Sequence, residues 1–78
     1  MERILIVEDD ELIAELERDY LLAEGLEADI ITNGTEAVRQ FRKEEYAAVL
    51  LDLMLPGRSG FDICREIRTW SDVPVLLV

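Results

Sequence analysis

Four short apolar runs, separated by stretches with helical spacing, constrain the fold of this chain more than any other feature. The runs cover residues 4–7, 28–31, 47–51 and 73–78. Continuous apolar runs of this length are typical of strands buried on both faces. The intervening stretches are long enough for crossover helices, which connect parallel strands in a right-handed sense. The sequence therefore predicts the order β-α-β-α-β-α-β and an α/β fold with a parallel sheet.

Apolar side chains at helical spacing mark the three predicted helices. They are Leu12, Ile13, Leu16, Tyr20 and Ala23, with Gly25 as a stop, then Ala37, Val38 and Phe41, then Gly60, Ile63, Cys64 and Ile67. Asn33 and Ser59 each precede an acidic residue by three positions, the spacing of a helix cap. We expect Tyr20 and Trp70 to be packing residues at helix ends, and Cys64 to be a packed core thiol.

Composition and charge exclude several classes of function. The chain has 78 residues, no histidine, one cysteine and a net charge of −10, so we expect one small domain without a disulfide or a His-ligated zinc. A surface this acidic repels phosphate backbones, and we predict that the segment binds no nucleic acid. No apolar stretch is long enough to span a bilayer and no leader opens the chain, so a cytoplasmic location is predicted.

Acidic residues follow two of the predicted strands at the point where each ends. Glu8, Asp9 and Asp10 come after the first strand, and Asp52 comes after the third. In a flavodoxin-like sheet of order 2-1-3-4 these two strands are neighbours, and ligands bind where the strand order reverses. We therefore expect Glu8 and Asp9 to converge with Asp52, and Asp10 to start the following helix.

Converging carboxylates suit a hard divalent cation, Mg²⁺ or Mn²⁺, which prefers oxygen ligands and retains water or phosphate oxygens in its shell. A carboxylate can also attack phosphorus and form an aspartyl phosphate. Asp52 is the best candidate nucleophile, because it ends a buried strand and opens a loop with Pro56 and Gly57 at its turn.

The segments ILIVEDDE, LLDLMLPGRSGFDI and VPVLLV resemble the receiver domain of two-component response regulators, most closely those joined to winged-helix DNA-binding domains. The resemblance implies that Asp52 accepts a phosphoryl group from a sensor histidine kinase. It implies a metal site made of Glu8, Asp9, Asp52 and the backbone carbonyl of Met54. The domain would normally control a fused DNA-binding output domain, and it would not be an enzyme in its own right.

Receivers of this family carry a Ser or Thr after the fourth strand and a Lys after the fifth. Residues 1–78 end before both positions, so the resemblance implies a partial receiver, truncated before the fifth strand, and the truncation argues for inactivity of this segment by itself. The fourth strand would then be a sheet edge with unpaired backbone groups. We accordingly expect the chain to self-associate through the strand that runs from Val73 to Val78.

Two other functions stay open on the sequence. The chain can be a degenerate receiver that acts only as a protein-interaction module. It can also be a Mg²⁺-dependent phosphatase with an aspartate nucleophile, because Glu8 and Asp10 are two residues apart after the first strand. The phosphatase is disfavoured, since that family places an Asp where Glu8 stands.

Overall fold

Four strands and three helices alternate along the chain, in the predicted order. The computed structural model describes residues 2–78. The strands are β1 (Arg3–Val7), β2 (Glu27–Ile31), β3 (Ala48–Leu51) and β4 (Val75–Leu77). The helices are α1 (Glu11–Ala23), α2 (Gly34–Lys43) and α3 (Gly60–Arg68). No helix within residues 2–78 combines the length and the apolar character needed to cross a bilayer.

The strands form one parallel sheet in the order β2-β1-β3-β4. In the register of the sheet, Val7 pairs with Ile31 on one side and with Leu51 on the other. The carboxyl ends of β1, β2 and β3 therefore lie level at one edge, with the reversal of strand order between β1 and β3. The predicted flavodoxin-like topology is confirmed.

Alternating side chains divide the sheet into two faces. We call the side covered by α2 and α3 the α2–α3 face, and the opposite side the α1 face. The α2–α3 face holds the main hydrophobic core, to which the sheet contributes Leu5, Val7, Val49 and Leu51 and the helices contribute Ala37, Val38, Phe41, Ile63 and Ile67. Because successive residues of a strand point to opposite faces, Ile4, Ile6, Leu50 and Leu76 lie on the α1 face.

Helix α1 covers only part of its face of the sheet. It contacts β1 and β2, and the β1 side chains of Ile4 and Ile6 are buried on this half of the face. On the other half of the same face Leu50 is half-buried and Leu76 is 54% exposed. An apolar strip of β3 and β4 therefore lies open beside α1.

Polar residues predicted to start helices do so by capping them. The Asp10 carboxylate accepts from the N–H groups of Leu12 and Ile13, at 3.0 and 3.2 Å. Asn33 accepts from the Thr35 N–H at the start of α2, and Ser59 likewise accepts from the third helical residue of α3. Each bond satisfies an N–H that has no partner inside the helix.

Strand β4 is shorter than the predicted run of residues 73–78. Pro74 has no N–H to donate, and the Val73 N–H donates to the Ser71 hydroxyl at 3.1 Å. The bonding to β3 nevertheless continues beyond Leu77, since the Val78 N–H donates to the Leu51 carbonyl at 2.9 Å.

The expected packing role of Tyr20 is wrong, because its side chain is 68% exposed. Trp70 does pack: its ring lies 6.1 Å from that of Phe41 and 4.3 Å from the Arg42 guanidinium carbon. Cys64 is half-buried against the main core. The error at Tyr20 arises because helical spacing identifies an apolar stripe without showing what covers it.

Candidate functional site

Three carboxylates meet at the carboxyl edge of the sheet. Glu8 directly follows β1, and its N–H donates to the Ile31 carbonyl at 3.0 Å. Asp52 directly follows β3, and its N–H donates to the Val7 carbonyl at 2.9 Å. Both residues thus extend the hydrogen bonding of the sheet. Together with Asp9 they offer one oxygen each within 4.8 Å of one another, so the acids that the sequence places at one edge lie side by side.

Glu8 is the buried member of this group, with 8% exposure. Burial, together with a hydrogen bond to Asp52 and the negative charge of that residue, raises the pKa of Glu8 to about 7. The Asp10 N–H, which donates to the Glu8 carboxylate at 3.3 Å, partly opposes the shift. A buried carboxylate beside a second one is stabilised by a proton or by a cation.

The donor set fits a divalent cation. Within residues 2–78, no Lys or Arg forms an ion pair with Glu8, Asp9 or Asp52. The three carboxylates therefore place negative charge at a partly buried edge of the sheet with no positive side chain in the described part of the chain to balance it. Hard cations such as Mg²⁺ bind such oxygen ligands while keeping water or phosphate oxygens in the remaining positions.

Asp9 is exposed and faces an open cavity of about 660 Å³. The opposite wall is the β3–α3 loop, residues 53–59. The site is therefore open to solvent on one side and closed on the Glu8 side.

Backbone hydrogen bonds fix both Asp52 and the residue that follows it. The Met54 N–H donates to Asp52 Oδ1 at 3.0 Å, which fixes the carboxylate over the start of the loop. The Gly60 N–H donates to the Leu53 carbonyl at 2.9 Å. A Cβ at position 60 would lie 2.5 Å from the Asp52 carbonyl oxygen, so only glycine lets α3 begin this close to the site.

The β3–α3 loop turns at Pro56 and Gly57, as predicted. Gly57 has a φ of +86°, a conformation that side chains other than glycine rarely adopt. A Cβ there would also approach the Thr35 methyl group to 3.2 Å, so the loop packs on the start of α2. The Met54 side chain is 84% exposed, and its carbonyl as a metal ligand stays a prediction.

Asp10 lies beside the site but is occupied as a helix cap. Its carboxylate accepts two α1 N–H groups, and it is not among the three acids that converge. This arrangement disfavours the phosphatase hypothesis, which needs the Asp10 carboxylate as a second catalytic acid.

Glu17 is a fourth acid near the site that the sequence analysis did not single out. It is half-buried on α1 and lines an apolar groove with Leu16, Tyr20, Leu21 and Leu50. Burial and the charge of Asp52 raise the pKa of the Glu17 carboxyl. Glu17 stands four residues after Ile13 and four before Leu21. This spacing in the sequence indicates that Glu17 shares a helix face with apolar residues.

Comparison with known proteins identifies the family. Residues 4–78 match the response regulator receiver domain. Sensory transduction protein RegX3 of Mycobacterium tuberculosis is 46% identical over 78 residues, which is 100% of this chain and 34% of RegX3. The DNA-binding response regulator MtrA of Mycobacterium leprae is 43% identical over 77 residues, covering 99% of this chain and 34% of MtrA. The chain thus spans about a third of the length of these curated relatives.

Solved structures agree with the family and with the fold. The response regulator TrrA, in its complex with histidine kinase ThkA, matches with a TM-score of 0.92 and 41% identity over 99% of this chain and 67% of that one. TrrA of Thermotoga maritima in complex with Mg²⁺ and BeF matches with a TM-score of 0.86 and 43% identity, over 88% of this chain and 60% of that one. The fold, the acidic edge and these matches lead to one conclusion. This chain belongs to the response regulator receiver domain family, a family of signalling domains in two-component systems.

Proposed function

We propose that Asp52 accepts a phosphoryl group from a sensor histidine kinase, with Mg²⁺ or Mn²⁺ held by Glu8, Asp9, Asp52 and the Met54 carbonyl. The observation that carries this proposal is the meeting of three carboxylates within 4.8 Å at the carboxyl edge of the sheet. Family membership supports it, as does the complex of the relative TrrA with a histidine kinase.

The transfer is a displacement at phosphorus. An Asp52 carboxylate oxygen forms the new bond, the P–N bond of phosphohistidine breaks, and its electron pair remains on the imidazole nitrogen, which takes a proton from solvent. A divalent cation held by Glu8, Asp9 and Asp52 would supply positive charge that offsets the negative charges of the Asp52 carboxylate and the phosphoryl group. The Met54 N–H fixes the orientation of the Asp52 carboxylate at 3.0 Å, and buried Glu8 anchors the closed side of the site.

A small phosphoryl donor tests the role of Asp52. We expect acetyl phosphate with Mg²⁺ to add one phosphoryl group to the chain, measured by intact mass, and Asp52→Asn to abolish the addition. Asp72→Asn is the matched control, because Asp72 is an exposed aspartate just before β4. Equal labelling of both variants, or an unlabelled wild-type chain, contradicts the proposal.

Metal binding is tested separately by titration with Mn²⁺, followed by the electron paramagnetic resonance signal of the free ion. Asp9→Asn removes one proposed ligand at the exposed side of the site, and we expect a tenfold or greater loss of affinity. Glu11→Gln removes an equal charge from the exposed first turn of α1 and should change affinity far less. The same affinity in both variants speaks against the assigned ligands.

In the longer protein we propose that phosphorylation controls a DNA-binding output domain, as the name of the relative MtrA suggests. A cytoplasmic location suits this role. The segment itself carries a net charge of −10, and we expect it to bind no DNA. Fluorescence anisotropy with a labelled duplex at low salt tests this, and salt-sensitive binding would contradict it.

We also propose that the chain self-associates through the strand at residues 73–78. Leu76 is 54% exposed and Val78 is 60% exposed. The Val78 N–H and carbonyl both bond to β3 and its extension, so by alternation those of Leu77 face away from the sheet. Unpaired strand edges of this kind accept a strand from another chain.

Proline substitution separates edge pairing from folding. Leu77→Pro removes an outward N–H, and we expect it to reduce self-association in sedimentation velocity without loss of the bonds to β3. Val78→Pro is the comparison variant, since it removes the 2.9 Å bond to the Leu51 carbonyl and should lower the melting temperature instead. A wild-type chain that stays monomeric at high concentration is evidence against the proposal.

A further inference from the structure

An apolar groove on the α1 face contains a single charged group. The groove has a volume of about 400 Å³ and is lined by Leu16, Glu17, Tyr20, Leu21 and Leu50. Four of these five side chains are apolar or aromatic, and Glu17 is half-buried among them, so its carboxylate is less well solvated than a fully exposed one.

The groove lies directly below Asp52 on the same side of the sheet. Leu50 and Asp52 are two residues apart, and strand alternation places their side chains on one face. The alternation continues through Asp52, because its N–H bonds to Val7 while the next N–H, that of Leu53, bonds to Val78 on the other side. Glu17, which shares the groove with Leu50, therefore faces the same side of the site as Asp52.

Among the residues that the structure describes, no basic side chain forms an ion pair with Glu17. None of the ion pairs within residues 2–78 includes it, and its neighbour Arg18 is bonded to Glu15 at 3.1 Å. Burial and, to a smaller extent, the charge of Asp52 raise the Glu17 pKa, in line with the position of both carboxylates on one side of the sheet. Because Glu17 is half-buried, its charge is screened less than that of a fully exposed carboxylate on the same helix.

We propose that Glu17 tunes the reaction at Asp52 electrostatically: its negative charge strengthens cation binding at the site and slows the addition of the phosphoryl group. The inference rests on the proposed role of Asp52, since it assigns Glu17 a part in that same reaction. The two effects have opposite signs because the cation is positive and the incoming phosphoryl group is negative. Glu17 touches neither reactant, so it acts through the field at Asp52.

Neutralising Glu17 is the test. We expect Glu17→Gln to weaken Mn²⁺ or Mg²⁺ binding about two- to tenfold and to speed labelling by acetyl phosphate at saturating Mg²⁺ by a similar factor. Glu17→Asp keeps the charge and should behave like the wild type. A merely structural role of Glu17 would instead weaken both properties together.

Asp19→Asn is the matched control, because Asp19 is exposed on the same helix and the substitution removes the same charge. We expect it to leave cation affinity and labelling nearly unchanged. If Glu17→Gln and Asp19→Asn have the same cation affinity, the inference is overturned, whether or not Asp52 is phosphorylated. If the wild type is not labelled but Glu17→Gln alone weakens cation binding, the role of Asp52 fails while the electrostatic effect of Glu17 stands.

Discussion

The two faces of the sheet are built differently although both are apolar. On the α2–α3 face, Ile63 and Ile67 are fully buried against β3 and β1 side chains. On the α1 face only Ala14 of the helix is buried, while Leu12, Leu16 and Tyr20 are more than 60% exposed. The helices of the α2–α3 face thus bury more apolar side chains than α1 does. We expect substitutions on the two faces to separate accordingly.

The largest expected contrast is between Ile63→Ala and Leu16→Ala. Ile63 is 0% exposed, and truncating a buried Ile leaves a cavity that costs about 2–5 kcal/mol. Leu16 is 61% exposed, and its truncation should change stability by less than about 0.5 kcal/mol. Urea denaturation of both variants measures this. Equal losses would show that the α1 face is as well packed as the other.

Two glycines at helix ends sharpen the comparison. In Gly60→Ala the new Cβ would lie 2.5 Å from the Asp52 carbonyl oxygen and 2.9 Å from Leu53 Cα, so α3 must shift, at about 1–3 kcal/mol. Gly25, after α1, has a φ of +84° and nothing within 4 Å, so Gly25→Ala should cost about 1 kcal/mol from its backbone conformation alone.

The glycine variants also differ in function. Only Gly60→Ala should slow phosphoryl incorporation, because its backbone contact is with Asp52 itself. Thermal unfolding and labelling by acetyl phosphate measure the two properties. A Gly60→Ala chain labelled at the wild-type rate contradicts the view that α3 positions Asp52.

The acidic edge makes stability depend on pH. Glu8 has a pKa of about 7, raised from 4.5, so the folded chain holds a proton that the unfolded chain releases. Without divalent cations we therefore expect stability to fall by about 2–3 kcal/mol as pH rises from about 4.5 to about 7. Saturating Mg²⁺ should reduce that loss, since it binds the deprotonated form. Glu8→Gln should remove this part of the pH dependence in urea titrations.

The smallest expected contrast is between two tyrosines. The Tyr46 hydroxyl donates to Asp29 at 2.7 Å and accepts from Gln40 at 2.8 Å, so Tyr46→Phe should cost about 1 kcal/mol. Tyr20→Phe, at a side chain that is 68% exposed, should be nearly neutral. Melting temperatures measured in parallel check this, and the reverse order would contradict the assignment of the two faces.

Local patterns were sufficient to predict the elements and their order. Apolar runs marked the strands, and Asp10, Asn33 and Ser59 marked helix starts that the structure confirms. Sheet order 2-1-3-4 was also predicted and is confirmed. These features depend on residues close in sequence and on general rules of connection, which is why a single sequence reveals them.

Burial was predicted less well. The same helical spacing marked Tyr20 on α1 and Phe41 on α2, yet Tyr20 is 68% exposed and Phe41 is 8% exposed. Periodicity shows that a helix has an apolar stripe, but the neighbouring elements decide how much of it is covered. Glu17 was missed for the same reason, because its place in the groove beside Leu50 depends on how α1 packs on the sheet.

By itself, the sequence determined that paired acids follow one strand and Asp52 follows another, and that both belong to one sheet edge. Only the tertiary structure decided that Glu8 is 8% exposed, that its pKa rises, and that Glu17 shares a face with Asp52. Side-chain alternation follows from local strand geometry, and the parallel arrangement follows from general rules for connecting strands through helices. Burial and charge interaction are sums over groups distant in sequence, and they exist only once the chain has folded.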